Sequence, residues 1–152
     1  MILSTLCYIE QNEKYLMLHR VKKENDANRD KWIGIGGKFE DKESPEECML
    51  REVKEETGLI LNSYKLRCVV TFVSNKYETE YMYVFTSNDF AGELIDCNEG
   101  TLEWILKSEI IDLNIWEGDK IFLRKLINND KFFTLKLEYD GEKLVNYLLK
   151  EY

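Results

Sequence analysis

The sequence holds one proline and one histidine, and no apolar run approaches the length that crosses a bilayer. With 44% hydrophobic residues beside that single proline, the composition is that of a folded globular chain and not of a disordered one. Positive charge is also short: 21 Lys and Arg stand against 29 Asp and Glu, a formal net charge of −8. That balance argues against a surface that coats nucleic acid, which needs a basic stripe. Any phosphate ligand must then be held by a metal and a few local cations. Cys7, Cys48, Cys68 and Cys97 are scattered and form no Cys-x-x-Cys pair, so they read as small buried hydrophobes in a reducing compartment. The N-terminus lacks a basic start and meets Glu10 after a short apolar run, which is unlike a signal peptide. A cytoplasmic protein with no membrane partner is expected. At 152 residues, without repeats, linkers or low-complexity stretches, residues 1–152 form one domain.

What is present is concentrated in Gly37 to Leu59, GKFEDKESPEECMLREVKEETGL. Ser44-Pro45-Glu46-Glu47 combines an N-cap, a proline at the first helical position and a capping-box glutamate. Gly58 suits the left-handed residue that closes a helix. The pattern predicts a helix over Pro45 to Thr57. On a wheel turning ~100° per residue, Glu47, Arg51 and Lys54 share one side, and Met49, Leu50 and Val53 the opposite, apolar side. Glu52 and Glu56 fall between Cys48 and Met49, at the border of the apolar stripe, and Glu55 is their neighbour. Ionised carboxylates at a core edge are costly unless compensated. A hard divalent cation with oxygen ligands, typically Mg²⁺, compensates them; a solvated acidic face is the plainer alternative, and the glycine-rich approach weighs against it.

Gly37, Glu43, Arg51, Glu52, Val53, Glu55, Glu56, Gly58 and Leu59 match every fixed position of the Nudix box. The chain resembles the Nudix hydrolases, which cleave nucleoside diphosphates linked to another group with Mg²⁺ or Mn²⁺. The resemblance implies an α/β/α sandwich: a mixed β-sheet flanked by helices, here ending in a C-terminal β-hairpin. It also implies metal ligation by Glu52, Glu55, Glu56 and the Gly36 carbonyl, with Glu99 from a later loop. Glu52 or Glu56 would accept the attacking water's proton, Arg51 would orient the carboxylates, and Glu43 would steady the loop–helix junction. Lys38 matches a position that contacts phosphate. Among the loop cations, Arg20 and Lys23 are further phosphate candidates, although a solvated loop is the plainer role.

Along the chain, Ser4–Ile9 and Tyr15–Arg20 read as strands around a polar Gln11-Asn12-Glu13 turn. Tyr64–Ser74, Glu80–Ser87 and Thr101–Leu106 read as further strands. Ser108 is a candidate cap for a short helix over Glu109 to Asp112. Asp119 is a candidate cap for another, with Ile121, Phe122, Leu126 and Ile127 on its apolar face. Phe132–Tyr139, an Asp140-Gly141 turn and Glu142–Leu149 read as a hairpin.

Across nearly the whole length, in stretches such as LMLHR, KWIGIGGK and LIDCNEGTLEW, the chain is similar to the MutT-type 8-oxo-dGTP diphosphatases. That likeness implies hydrolysis of 8-oxo-dGTP, or oxidised purine nucleoside triphosphates generally, to the monophosphate and pyrophosphate in nucleotide-pool sanitation. It places Asp119 against the base and Trp116 in a stack upon it. A helix cap and a core residue are their plainer roles. The eukaryotic relatives carry an asparagine where Ile33 stands and a second acid where Gly118 stands, so base recognition here must be organised differently. Other substrates, an unmodified dNTP or a nucleotide sugar, and a silent nucleotide-binding sensor remain open. So do the choice between monomer and homodimer and the number of metals.

Overall fold

The computed structural model describes residues 1–21 and 26–152. Lys23, one of the phosphate candidates, lies outside the described residues. The chain runs β1 (Ile2–Gln11), β2 (Lys14–His19), β3 (Trp32–Ile33), β4 (Ile35–Lys38), α1 (Pro45–Thr57), β5 (Ile60–Ser74) and β6 (Glu80–Ala91). It continues with β7 (Thr101–Leu106), a 3₁₀ turn over Lys107–Asp112, α2 (Glu117–Ile127), β8 (Phe133–Asp140) and β9 (Lys143–Glu151).

The strands link in the order β3-β2-β1-β6-β5-β8-β9, with β4 also on β1 and β7 on β2. Parallel β1/β6 and β5/β8 pairs beside antiparallel β5/β6 and β8/β9 pairs make the sheet mixed. Alternation along β1 feeds both faces of it. Tyr8 joins one buried cluster with Phe122, Leu123 and Leu126 of α2; Cys7 and Ile9 join the other with Met49 and Val53 of α1. This is the expected helix–sheet–helix layering, each amphipathic helix burying its apolar stripe on one sheet face. Among the described residues, no helix is long and apolar enough to cross a membrane.

Several expectations need correction at their edges. The helix α2 begins at Glu117 with Trp116 at its N-cap and no side-chain cap bond, so Asp119 sits inside the first turn instead of capping it. Ser108 caps nothing: the segment is 3₁₀, and Leu106 stands before it. β5 starts at Ile60, directly after the helix closes, and not at Tyr64. The last hairpin turns through Gly141 and Glu142, with Asp140 still in β8.

Both ends of α1 form as the local signals require. Ser44 Oγ accepts from the Glu47 backbone N–H, and the Glu47 carboxylate accepts from the Ser44 N–H. Gly58, at φ 79°, donates its N–H to the Lys54 carbonyl. The first hairpin turns through Asn12 and Glu13, both at positive φ, which matches the twist of the strands they join.

Candidate active site

Strand β1 carries β4 on one side and β6 on the other, with Leu6 opposite both Gly36 and Val84. The box loop is thereby held above the sheet, and α1 packs beside it. On the apolar side of α1, Met49 and Val53 are fully buried and Leu50 is partly buried against the same cluster, while at its border Cys48 is fully buried and Glu56 keeps 8% of its surface exposed.

Arg51 organises the near wall. Its Nε and Nη2 grip both oxygens of Glu43 at 2.7 and 2.9 Å. Its Nη1 donates to Glu52 at 2.8 Å and Glu55 at 3.3 Å, and Nη2 also reaches the Lys38 carbonyl at 3.1 Å. Glu43 further accepts from the Glu40 N–H at 2.7 Å, and the Arg51 guanidinium holds its carboxyl down to about 2. One planar fork therefore ties loop to helix and aims Glu52.

Glu52, Glu56 and Glu99 converge. Burial raises the Glu52 carboxyl in spite of Arg51, and Glu55 and Glu99 add to the effect. Burial pushes Glu56 up to about 9, helped by hydrogen-bond contact with Glu99 and by the charges of Glu99 and Glu52. The Gly36 N–H, donating to Glu56 at 3.2 Å, works the other way. The cluster is thus short of positive charge. Protons relieve that shortage when nothing else does, and a hard cation with oxygen ligands relieves it better. The donor set fits such an ion. Among the described residues, no three Asp, Glu, His or Cys side chains already stand in a metal-binding arrangement, so ligation needs side-chain adjustment. Glu55 is not drawn in: it is 59% exposed and held by Arg51.

Glu99 reaches the cluster from the loop before β7. A Cβ on the adjacent Gly100 would lie 1.9 Å from the His19 carbonyl oxygen, so only glycine lets that loop press against the end of β2. There Arg20 waits: its Nη1 donates to Glu99 at 3.1 Å and its Nε to Asp26 at 2.7 Å. Arg20 is occupied by carboxylates in this arrangement. Lys38 is exposed and lines the cavity.

The cavity beside this cluster measures about 800 Å³ and is lined by Ile33, Phe72, Tyr77, Met82, Trp116 and Asp119 among others. The indole of Trp116 meets Phe72, Tyr77 and Tyr139 edge-on. Lys31 Nζ lies 4.9 Å from its ring centre, and only 6% of the residue is exposed. Trp116 is therefore core wall first. Gly118 explains the missing second acid: its N–H donates to Tyr139 Oη at 2.7 Å. A Cβ there would lie 2.5 Å from Leu137 and 2.6 Å from that hydroxyl.

Burial lifts the Asp119 carboxyl to about 7, against a weaker pull from Lys31. A carboxyl raised on folding binds its proton more tightly in the native state, so it stabilises fully below its unfolded value. That contribution is lost as pH rises through about 7. Paired thermal melts should show Asp119→Asn gaining on the parent by on the order of 3 kcal/mol between about pH 4 and pH 7.5; a constant gap would show that the carboxyl is not perturbed.

Four contributors were invisible in the sequence: Asp26, Asn28, Phe72 and Tyr8. The Tyr8 hydroxyl is buried without a hydrogen-bond partner among the described residues, and burial first, then the negative charge of Asp119, raises its pKa. No local pattern marks these residues, because β1, β5 and the loop before β3 meet only through sheet order.

A profile of the NUDIX domain matches residues 2–126. The uncharacterized Nudix hydrolase YvcI of Bacillus subtilis is 29% identical over 95% of this chain and 92% of that protein. The oxidized purine nucleoside triphosphate hydrolase of Mus musculus is 23% identical over 98% of this chain and 94% of its own. In fold, the crystal structure of a MutT protein from Bacillus halodurans superposes with a TM-score of 0.87 at 24% identity, covering 98% and 97% of the two chains.

Proposed function

The chain belongs to the Nudix family and is a hydrolase, and from that premise we propose that it cleaves a phosphoanhydride bond in purine nucleoside triphosphates, 8-oxo-dGTP foremost. The products are the monophosphate and pyrophosphate, which fits a role in clearing oxidised nucleotides. The observation that carries the reading is the convergence of Glu52, Glu56 and Glu99 beside an aromatic-walled cavity.

Glu52, Glu56, Glu99 and the Gly36 carbonyl would hold Mg²⁺, or Mn²⁺, and Glu55 would join them only on leaving Arg51. Bound there, the ion offsets the negative charge of the polyphosphate and polarises water. The protein's own groups do the rest. Arg51 keeps Glu52 oriented and Glu43 locks Arg51. Glu52 or Glu56 would take a proton from the attacking water, a task that requires the ionised carboxylate. Lys38, exposed and lining the cavity, would meet phosphate oxygens. Arg20 would meet phosphate once released by Glu99, and Lys23 is a further candidate on its charge and sequence position alone.

Oxidation at C8 turns the N7 acceptor of guanine into an N–H donor. Asp119, a buried acceptor at the cavity wall, favours that edge, while Trp116 and Ile33 bound the space for the ring. The reading is supported by the kind of activity named for the Mus musculus relative.

The test is kcat/KM for 8-oxo-dGTP, dGTP, 2-hydroxy-dATP and ADP-ribose, measured with Mg²⁺. We expect 8-oxo-dGTP to exceed dGTP by about tenfold or more. Equal values would remove the selectivity. A lead for ADP-ribose would move the substrate to another nucleoside diphosphate derivative, and no turnover at all would favour a binding-only sensor.

A further inference from the structure

Asn28 is fixed at three points. Its N–H donates to Asp26 Oδ1 at 3.1 Å, its carbonyl accepts from the Lys31 N–H at 2.8 Å, and its side-chain Oδ1 accepts from Trp116 Nε1 at 2.8 Å. The last contact decides which way the amide faces. An indole nitrogen only donates, so the amide oxygen must point at Trp116 and the NH₂ must point away from it. Among the described residues no group accepts from that NH₂, and Asn28 lines the same cavity as Asp119. Trp116 spaces the two, since its indole binds Asn28 while its carbonyl accepts the Asp119 N–H at 3.0 Å.

We propose that Asn28 is a specificity-determining residue whose amide N–H reads a purine carbonyl, so that the cavity selects 6-oxopurines over 6-aminopurines. A donor at Asn28 and an acceptor at Asp119, on the wall of one cavity, would complement a ring edge with a carbonyl next to an N–H. Guanine offers O6 beside N1–H, and its 8-oxo form adds O6 beside N7–H. Adenine offers an amino donor beside a ring-nitrogen acceptor on both edges, the reverse order. Ile33 has no polar group to contribute, so the donor comes from the loop before β3. The same residue is coupled to the carboxylate cluster. Asp26, which holds the Asn28 N–H, also grips Arg20, and Arg20 grips Glu99. Base and phosphate ends of the cavity are therefore joined from the Asn28 backbone through three side chains, Asp26, Arg20 and Glu99. The inference rests on the purine-nucleotide reading above.

Asn28→Asp is the informative change. One carboxylate oxygen still accepts from Trp116, while the other faces the cavity as an acceptor where a donor stood. Equilibrium dissociation constants for dGMP and dAMP, read by tryptophan fluorescence, separate recognition from turnover. The parent should bind dGMP about tenfold or more tighter than dAMP. Asn28→Asp should reduce that ratio about tenfold or more, and Asn28→Ala should bring it near unity without adding charge. In turnover, the loss for 6-oxopurine triphosphates should appear in KM, with kcat changed less than about twofold. A dGMP to dAMP ratio that both variants leave within about twofold of the parent overturns the role of Asn28. Failure of every triphosphate to turn over, with the binding ratio still moving, overturns the hydrolytic reading alone.

Discussion

Glu56→Gln should fold, melt at or above the temperature of the metal-free parent, and lose about 10²–10⁴-fold in kcat. Both halves follow from one feature. The Glu56 residue keeps 8% of its surface exposed, among the charges of Glu52 and Glu99, so an amide of the same shape removes an electrostatic burden when no metal is supplied. It can still accept from the Gly36 N–H, the contact made at 3.2 Å. What the amide cannot do is bind a hard cation strongly or take up a proton. Activity falls whether Glu56 serves as ligand or as base. Thermal melts with and without Mg²⁺ read the first half: the parent should rise in Tm with saturating metal by mass action, and the variant should rise much less. Steady-state pyrophosphate release reads the second. Unaltered turnover at saturating Mg²⁺ would remove the metal site from this position.

Arg51→Gln should be the most damaging change in stability. The guanidinium bridges Glu43, Glu52 and Glu55 and the Lys38 carbonyl, so its loss strands carboxylates that lean on it. A removed partner in a mostly buried network costs about 3–5 kcal/mol. Arg51 keeps 20% of its side chain exposed, and solvent screening brings the expectation down to about 2–3 kcal/mol. For a domain of this size that is a Tm loss of about 5–10 °C. Arg51→Lys should recover only part of it, because one ammonium cannot match a planar fork that meets Glu43 through two nitrogens. Activity should drop in both as Glu52 loses its orientation, by about tenfold or more beyond any effect of unfolding at the assay temperature. Melts and kcat measured well below Tm check the two parts separately. A glutamine variant with parental Tm would show that the network is ornamental to the fold.

The box was legible because its chemistry is local. A helix of 3.6 residues per turn fixes where Glu52 and Glu56 point once Ser44 and Gly58 set its ends, and burial of Met49 and Val53 follows from the same spacing. The capping box, the left-handed Gly58 and the first hairpin turn could be read for the same reason: each is a contract among residues a few positions apart. Where expectation slipped, longer-range packing prevailed. Asp119 looks like a cap by type, but Trp116 is drawn into the aromatic wall and starts the helix three residues earlier. Ser108 lost its cap role to a 3₁₀ turn that follows directly on β7.

The sequence by itself determined the acidic helix, its charged and apolar sides, the layered α/β class and the family. All of these depend on periodicity and on a motif of close neighbours. Only the tertiary structure decided that Glu99 faces Glu56, that Arg20 is spoken for by Asp26, that Glu55 turns outward, and that Asn28 and Asp119 share a cavity. Those pairings join residues far apart along the chain. Their meeting is set by strand order and by which loop can approach β2, quantities that no local spacing encodes.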